Sequence, residues 1–359
     1  MARLVKHTAT IVLAGALLTG CAYDEAARSL RERKTDSESL AIVFDNGLID
    51  RPVTTKAVSM LSDHMNTMGV WGWQNSPEGG MECLFNNQEV TFNATLGKWI
   101  YTPVRYWELH STYQFFAYAP HSGSEPGTKV VIDTTTHAIS LKGVTLQGSN
   151  TITDGTPQLP ARFKQVADAD WMIDRTGQSM AGMAHQEVTF NMQHLLSKIC
   201  VRMTRGDSFP PDSVISLTLD SLTMEGFISQ GDFVQDQSFS PGITASEWTP
   251  VDTLPRYTIK SARNVSIPDS ALYVLESLLI PQDVDTTHYV HIWYTIGHKN
   301  GHHDRYDHRF RLNGLFSQFD TGCNYILTAI IGTGVEPITF NSLVSVWGNH
   351  DTYLQINNQ

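Results

Sequence analysis

Apolar and polar side chains alternate with a period of two along much of the chain. The alternation is clearest at residues 89–96, 214–219 and 288–296, and shorter candidates lie at 309–312 and 325–331. Successive side chains of a strand point to opposite faces, so this pattern predicts strands with one buried face. Short runs of this kind, separated by Gly, Pro, Asn, Asp and Ser, are typical of β-sandwiches. Because no long helical pattern separates the strands, we predict an all-β protein rather than a parallel α/β sheet.

An aromatic segment at residues 99–120 holds eight aromatic residues. Within it, Tyr113 and Phe115 fall on one side of a predicted strand, and Phe116 and Tyr118 fall on the other. A strand with bulky side chains on both sides is usually covered on both sides. We therefore interpret the segment as part of the core. The alternative interpretation is an aromatic platform on which sugars stack.

The N-terminus has the pattern of an exported lipoprotein. A short apolar run at 9–18 follows a basic start, and it is too short to span a bilayer, so it predicts a cleaved signal peptide over residues 1–20. Leu18-Thr19-Gly20-Cys21 matches a bacterial lipobox. We expect cleavage between Gly20 and Cys21, followed by lipidation of Cys21, which would anchor the protein to a membrane. The alternative is an ordinary signal peptide with an incidental cysteine.

A charged linker separates this anchor from the folded part. Residues 21–39 carry many charges and few large apolar side chains, which is typical of a disordered tether. Asp24 and Glu25 also resemble the surface-export signal of Bacteroidetes lipoproteins. The rest of the chain is longer than one all-β domain usually needs, so we predict two domains, at 40–180 and 181–359.

The charge and the cysteines exclude several classes of protein. The formal net charge is −11, and it becomes −13 once residues 1–20, with two basic residues and no acidic one, are removed. This acidity, without a basic stripe, argues against nucleic-acid partners and against electrostatic adhesion to anionic lipid. Beyond Cys21, only Cys83, Cys200 and Cys323 remain, which predicts neither a disulfide framework nor a zinc site, although one disulfide is possible in principle.

Candidate catalytic and metal-binding residues are few. The segment 297–308 is rich in histidine, and His302, Asp304 and His308 have a spacing that could bind a metal. We favour a solvated hairpin with its turn at 300–301. His194 is interpreted as a hydrogen-bonded structural histidine. The sequence contains no nucleophile elbow, zinc-protease helix or phosphate loop, so we predict no enzyme activity, no metal and no cofactor.

Six segments, taken in order, resemble the fimbrillin family of Bacteroidetes, the lipoproteins that build or decorate type V pili. The most specific is the aromatic segment at 99–120. The resemblance implies two tandem transthyretin-like (Greek-key) β-sandwich domains. The other five segments are Thr54-Thr55-Lys56-Ala57 with 68–72, FNMQHLLSK at 190–198, LLIPQ at 278–282, GCNYIL at 322–327, and 338–347.

The same resemblance implies assembly by strand exchange. A trypsin-like protease would cut after the first strand, 40–49, in which Ile42 and Phe44 are buried side chains. We expect the cut between Lys56 and Ala57, although the family commonly has Arg at this position. A strand from the next subunit would then fill the vacated groove. Without the cut, the subunit would serve as an anchor, a cap or a free surface protein.

The expected partners follow from this resemblance. They are other fimbrial subunits, the outer membrane through the lipidated Cys21, and host or bacterial surface ligands. The apolar segment 338–347 could be the donated strand, but we favour its pairing within its own chain. We therefore expect a structural or adhesive subunit of a surface fimbria. The alternative is a glycan-binding surface lipoprotein that does not polymerise, with Trp71, Trp73 or Trp107 stacking on sugars.

Overall fold

In a computed structural model of the chain, the regular secondary structure of the described residues is almost entirely β-strand, which confirms the predicted all-β class. In the described part of the chain, no helix has the length and apolar character needed to cross a lipid bilayer. The structure describes residues 40–46, 66–124, 127–146, 150–153, 162–165, 168–183, 185–206, 214–236, 247–253, 255–261, 263–332 and 338–347.

The first half of the described chain is built around a seven-stranded sheet, which we call the central sheet. Its strands follow the order β13-β10-β5-β2-β3-β4, and β11 also pairs with β5. The first thirteen strands are β1 (Val43–Asn46), β2 (Thr67–Ser76), β3 (Gly80–Asn93), β4 (Lys98–Ile100), β5 (Thr112–Ala119), β6 (Lys129–Ile132), β7 (Ile139–Thr145), β8 (Asn150–Thr153), β9 (Arg162–Gln165), β10 (Met172–Asp174), β11 (Gln178–Ala181), β12 (Glu187–Phe190) and β13 (Met192–His194).

The second half contains two sheets that face each other across one apolar core. Their orders are β20-β14-β25-β26 and β18-β15-β22-β23, and β19 also pairs with β15. The remaining strands are β14 (Ser197–Arg205), β15 (Val214–Phe227), β16 (Gln230–Val234), β17 (Trp248–Pro250), β18 (Tyr257–Lys260), β19 (Val265–Ser266), β20 (Leu272–Leu279), β21 (Gln282–Asp283), β22 (Tyr289–His298), β23 (His303–Arg311), β24 (Gln318–Phe319), β25 (Cys323–Ile331) and β26 (Ile338–Val346).

The predicted alternation decides which side chains enter this second core. Val290, Ile292, Tyr294 and Ile296 of β22 are all buried, whereas the intervening residues of the strand are only half-buried. Each large apolar side chain that leaves water on one face contributes about 1.5–3 kcal/mol to folding. This one-sided burial is why the strand stays in one register, since a shift by one residue would expose all four side chains.

The aromatic strand β5 carries apolar side chains into two different cores, as the sequence predicts for a strand that is bulky on both faces. Tyr113 and Phe115 lie in the core that contains the side chains of β1, which we call the first core. Tyr118 lies on the opposite face with Trp71, in a core that the central sheet shares with β6, β7, β16 and β17. This strand is therefore structural, with packed side chains on both of its faces.

Residues from both sides of position 180 share a sheet and a buried ion pair. β7 pairs with β16, in the order β17-β16-β7-β6. Arg175 makes a two-pronged ion pair with Glu247, at 2.6 and 2.8 Å, and neither side chain is more than 9% exposed. On the other side of that position, Val188 and Phe190 of β12 lie in the first core. The two-domain division at 180 stays a prediction.

Candidate functional site

The segment 40–46 lies between two parts of the chain and pairs with both. Its first half runs antiparallel to the segment around Tyr106, where the Ile42 amide donates to the Arg105 carbonyl at 2.9 Å. The Trp107 amide donates to the Leu40 carbonyl at 2.7 Å. Its second half, β1, runs parallel to β12, with Val43 opposite Glu187 and Asn46 opposite Phe190. This segment, with the groove that holds it, is the candidate functional site.

The side chains predicted to anchor this segment are buried. Ile42 and Phe44 are each 1% exposed, whereas Val43 and Asp45 between them are half-buried. The alternation arises because successive side chains of an extended segment point to opposite sides. Ile42 and Phe44 therefore enter the first core, as expected of the first strand.

Phe44 is surrounded by four aromatic rings. The centroid of its ring lies 5.2 Å from that of Phe85, 5.3 Å from that of Tyr101, and 5.8 Å from those of Phe115 and Phe190. Two of these contacts are edge-to-face, a geometry in which the ring quadrupoles attract each other. The rings come from four separate parts of the chain, so Phe44 joins them into one packed group.

A tyrosine hydroxyl fixes the backbone of the segment at its centre. The Tyr101 hydroxyl donates a hydrogen bond to the Ile42 carbonyl at 2.8 Å. Burial raises the pKa of Tyr101 to about 12, so the hydroxyl keeps its proton near neutral pH and can act as the donor. The same hydroxyl accepts from the Arg105 amide at 3.2 Å, which ties the antiparallel partner to the same point.

This arrangement can accept an extended apolar segment. The groove offers an apolar pocket formed by Phe85, Phe115 and Phe190, and backbone groups at Arg105 and Trp107 that pair with a strand. Exposed strand partners and pockets for alternate side chains are the two requirements of β-strand addition. A segment with apolar side chains two positions apart would satisfy both.

The apolar segment 338–347 completes its own sheet in this structure. β26 pairs with β25 along its whole length, from Ile338 opposite Ile331 to Val346 opposite Cys323. It is the edge strand of that sheet. At its end, Trp347 is 8% exposed and contributes to the core that the central sheet shares with β6, β7, β16 and β17.

His194 has a structural position, as the sequence indicates. Its Nδ1 lies 2.9 Å from an oxygen of the buried Asp170, and its ring stacks on that of Trp347 at 3.7 Å. The Lys198 ammonium lies 4.8 Å from the centroid of the same indole ring. The Trp347 indole, which directly follows β26, therefore contacts side chains of both β13 and the start of β14.

Several residues singled out from the sequence lie outside the described residues. They include the lipobox residues Gly20 and Cys21 and the candidate processing site Lys56-Ala57. Lipidation and cleavage at these positions therefore stay predictions.

Two of the three tryptophans considered for sugar stacking are buried, so the structure contradicts that role for them. Trp71 is 4% exposed and Trp107 is 3% exposed. The Trp71 ring packs against Tyr118 at 5.1 Å, and the Trp107 ring packs edge-to-face against Tyr113 at 4.8 Å. An indole covered on this scale has no free face for a sugar. Only Trp73 is half-buried.

The histidine-rich segment forms a hairpin between β22 and β23, with Gly301 in its turn at a positive φ of 83°. His298 and His302 each approach Asp304 at 2.8 Å. His308 lies further along β23, where its ring stacks between Tyr306 and Phe310. His302, Asp304 and His308 therefore do not converge, and among the described residues no cluster of His, Cys, Asp and Glu is suited to a metal ion.

Sequence reasoning missed the partners of the first strand. Neither the segment at Arg105–Trp107 nor β12 was expected to flank it, and Tyr101 was not expected to bind its backbone. The only available signal was the density of aromatic residues at 99–120, which indicates a core but does not say which strand fills it.

Comparison with known proteins places the chain among fimbrial proteins. A profile described as fimbrillin-like matches residues 55–347. A fimbrial protein from Bacteroides vulgatus superimposes with a TM-score of 0.55 at 13% identity, covering 86% of this chain and 100% of that one. A candidate cell adhesion protein from Bacteroides uniformis gives 0.47 at 15% identity, covering 86% and 99%. At 13% identity, the similarity to the Bacteroides vulgatus protein shows a shared fold. No curated protein matches the chain.

Proposed function

Since the chain belongs to the fimbrillin-like family, we propose that it is a lipid-anchored fimbrial subunit that assembles by exchanging its first strand. Membership of this family implies a cell-surface protein with a structural or adhesive role. The proposal adds three steps: lipidation of Cys21, cleavage between Lys56 and Ala57, and replacement of the segment 40–46 by a strand from the next subunit. It places the protein at the outer membrane first and in the fimbria after cleavage.

The burial of Ile42 and Phe44 is the observation that carries this proposal. If a segment leaves after cleavage, binding of another strand in the vacated groove must be energetically favourable. Loss of these two side chains would expose the aromatic pocket and free backbone groups at Arg105 and Trp107 to water. An incoming strand with two apolar side chains at the same spacing would recover both the burial and the hydrogen bonds.

The candidate cut fits the position of this segment in the chain. Lys56 lies ten residues beyond Asn46, the last residue of β1. The other nearby basic residue, Arg51, precedes Pro52, a bond that trypsin-like proteases cut poorly. Cleavage after Lys56 would separate the first strand and the lipid anchor from the rest of the chain together. A subunit that is not cut would stay at the membrane as an anchor.

A reversible cross-link tests the exchange step directly. Ala41 and Tyr106 face each other as a pair flanked, but not joined, by the two hydrogen bonds of this ladder. Such antiparallel pairs have Cα atoms about 4.5 Å apart, within the range for a disulfide. In the Ala41→Cys/Tyr106→Cys variant, digestion with a lysine-specific protease should still produce a chain that starts at Ala57. We expect the oxidised variant to form no detergent-resistant ladder, and dithiothreitol to restore the ladder.

The controls separate locking from damage. The single variants Ala41→Cys and Tyr106→Cys carry the same substitutions without the cross-link, so they should form ladders like the unmodified chain. Mass spectrometry of each sample reports whether the cut at Ala57 has occurred. Ladders of equal intensity in the oxidised and reduced double variant would contradict exchange of the first strand. Absence of any ladder from the cleaved, unmodified chain would contradict assembly altogether.

A further inference from the structure

A concave surface lies on the face of the central sheet that points away from the first strand. Three adjacent strands, β2, β5 and β11, form its floor, and the cavity above them measures about 390 Å³. Trp73, Gln114 and Ser179 lie side by side in one row across the strands, because each is the register partner of the next. The adjacent row along the strands consists of Asn75, Thr112 and Ala181.

The two faces of this sheet have different surroundings. Tyr113 and Met180, which alternate with the residues of these rows, point to the first core and pack there. Trp73 lies on the opposite face, at the border of the core shared with β6, β7, β16 and β17. Beyond Trp73, that face is no longer covered, and Thr112, Ser179 and Asn75 are exposed. We call this uncovered area the outer-sheet surface.

Polar groups on the outer-sheet surface are free to bind a ligand. Four side chains on this surface make no side-chain hydrogen bond with any residue that the structure describes: the side-chain amides of Asn75 and Gln114, and the hydroxyls of Thr112 and Ser179. Each amide offers two donors and an acceptor, and each hydroxyl offers one donor and two acceptor lone pairs. Four such groups on one face of one sheet offer both donors and acceptors, which is what a polyol requires.

Two large apolar side chains border these polar groups on the side of β2 and β3. The Trp73 ring is braced by Phe116 at 5.9 Å and by His137 at 4.9 Å, so its position is fixed by its neighbours. On the adjoining strand, the Met81 side chain is 67% exposed, although it is large and apolar. On the other side of Trp73, the small side chains of Thr112 on β5 and Ser179 on β11 leave room for a ring-shaped ligand to approach the sheet. An indole can cover the apolar face of such a ring.

The residues that line the cavity include no acidic or basic side chain. A charged ligand would therefore lose hydration without gaining an opposite charge at the floor. The volume falls within the range of about 300–1,000 Å³ that is usual for small-ligand sites. We propose that the outer-sheet surface binds a neutral saccharide of one or two rings, with Trp73 against a ring face and Asn75 and Gln114 bonded to its hydroxyls.

This site is independent of strand exchange. The groove for the first strand opens on the face of the sheet that carries Tyr113, and the saccharide site opens on the face that carries Gln114. A subunit could therefore bind sugar before, after or without polymerisation. Failure to bind sugar would therefore not contradict strand exchange, and failure to form ladders would not contradict sugar binding.

Saturation-transfer NMR on the mature chain tests the proposal with lactose, mannobiose and N,N′-diacetylchitobiose as neutral probes and sialyllactose as an acidic one. We expect transfer to at least one neutral probe. Gln114→Ala should weaken its binding about tenfold, as expected for one lost hydrogen bond. Ser179→Tyr should abolish binding, because the new ring fills the floor. Ser266→Tyr, a matched change at an exposed strand position elsewhere, should leave binding unchanged.

Thermal melting of each variant separates loss of binding from loss of folding, since Ser179 and Gln114 lie outside the cores and their variants should melt like the unmodified chain. The proposal is overturned if none of the neutral probes shows transfer, or if Ser179→Tyr and Ser266→Tyr behave alike. Preferential binding of sialyllactose would also overturn it. A synthetic peptide of residues 348–359 serves as a competitor, and its binding in place of the sugars would overturn the proposal by identifying the surface as a docking site for that segment.

Discussion

Replacement of Phe44 by Ala is the sharpest test of how the first strand contributes to the subunit. The side chain is 1% exposed, and four aromatic rings lie within 5.8 Å of its centroid. Burial of a Phe side chain alone contributes about 1.5–3 kcal/mol. The cavity left among rings that belong to separate strands adds to this, so the total loss in the free energy of unfolding should be about 3–5 kcal/mol.

The assay is urea unfolding of the uncleaved chain, followed by the fluorescence of its tryptophans. Phe44→Ala should move the transition that reports the first core to a lower urea concentration, with little change in slope. Val43→Ala, at the adjacent half-buried position, is the matched control and should cost less than about 1.5 kcal/mol.

The same variant distinguishes the uncleaved from the assembled subunit. If the first strand leaves on assembly, Phe44 is absent from the polymer, so ladders made from the variant should dissociate like those of the unmodified chain. Phe85→Leu, which alters the pocket itself, should weaken both forms. A loss of less than about 1 kcal/mol in the uncleaved chain would contradict the contribution of Phe44 to the first core. Destabilisation of cleaved ladders as large as that caused by Phe85→Leu would contradict departure of the first strand.

Three further predictions concern other parts of the molecule. Arg175→Ala should lower the free energy of unfolding, measured in urea, by about 3–5 kcal/mol, because it leaves the buried Glu247 carboxylate without its charged partner. Replacement of both residues by apolar ones should lower it less. Alkylation at pH 8 should modify the exposed Cys83 in the folded chain but spare Cys323 until urea is added. The reason is that burial raises the pKa of the Cys323 thiol to about 11. Equal rates of alkylation at the two cysteines would contradict the burial of Cys323. Burial also lowers the pKa of His288, so the folded state binds fewer protons than the unfolded one. Stability should therefore decline as the pH falls below about 6.5, and His288→Gln should lessen the decline between pH 7 and pH 5 in urea unfolding; an unchanged decline would contradict this.

The sequence was most informative where a local period decides which side chains are buried. Val290 and Ile292 were assigned to one face by alternation alone, and that face is buried. The aromatic strand was predicted to be covered on both sides, and Tyr113 and Tyr118 do lie in different cores. Ile42 and Phe44 followed from the family resemblance, and their burial agrees with the expected first strand. In the first two cases the information is contained in fewer than ten consecutive residues.

Pairings between distant strands could not be derived in this way. Alternation says which face of a strand is apolar but not which strand lies beside it, so the parallel match between β1 and β12 left no local trace. The exposure of indoles was also beyond reach, because tryptophan is found both in cores and at surfaces. Trp71 and Trp107 proved to be buried, and only the full set of strand partners reveals that the row through Trp73 continues onto an uncovered face.

The parallel pairing of β1 has a consequence for the order in which the protein folds. Val43 lies opposite Glu187, about 140 positions further along the chain, and the central parallel pair of the second half joins Lys198 to Asn324 over a similar span. Contacts between such distant positions form slowly, because a long loop must close first. A chain that is synthesised from its N-terminus therefore makes its first strand long before the neighbour of that strand exists. This first strand is therefore among the last to find its place in a sheet.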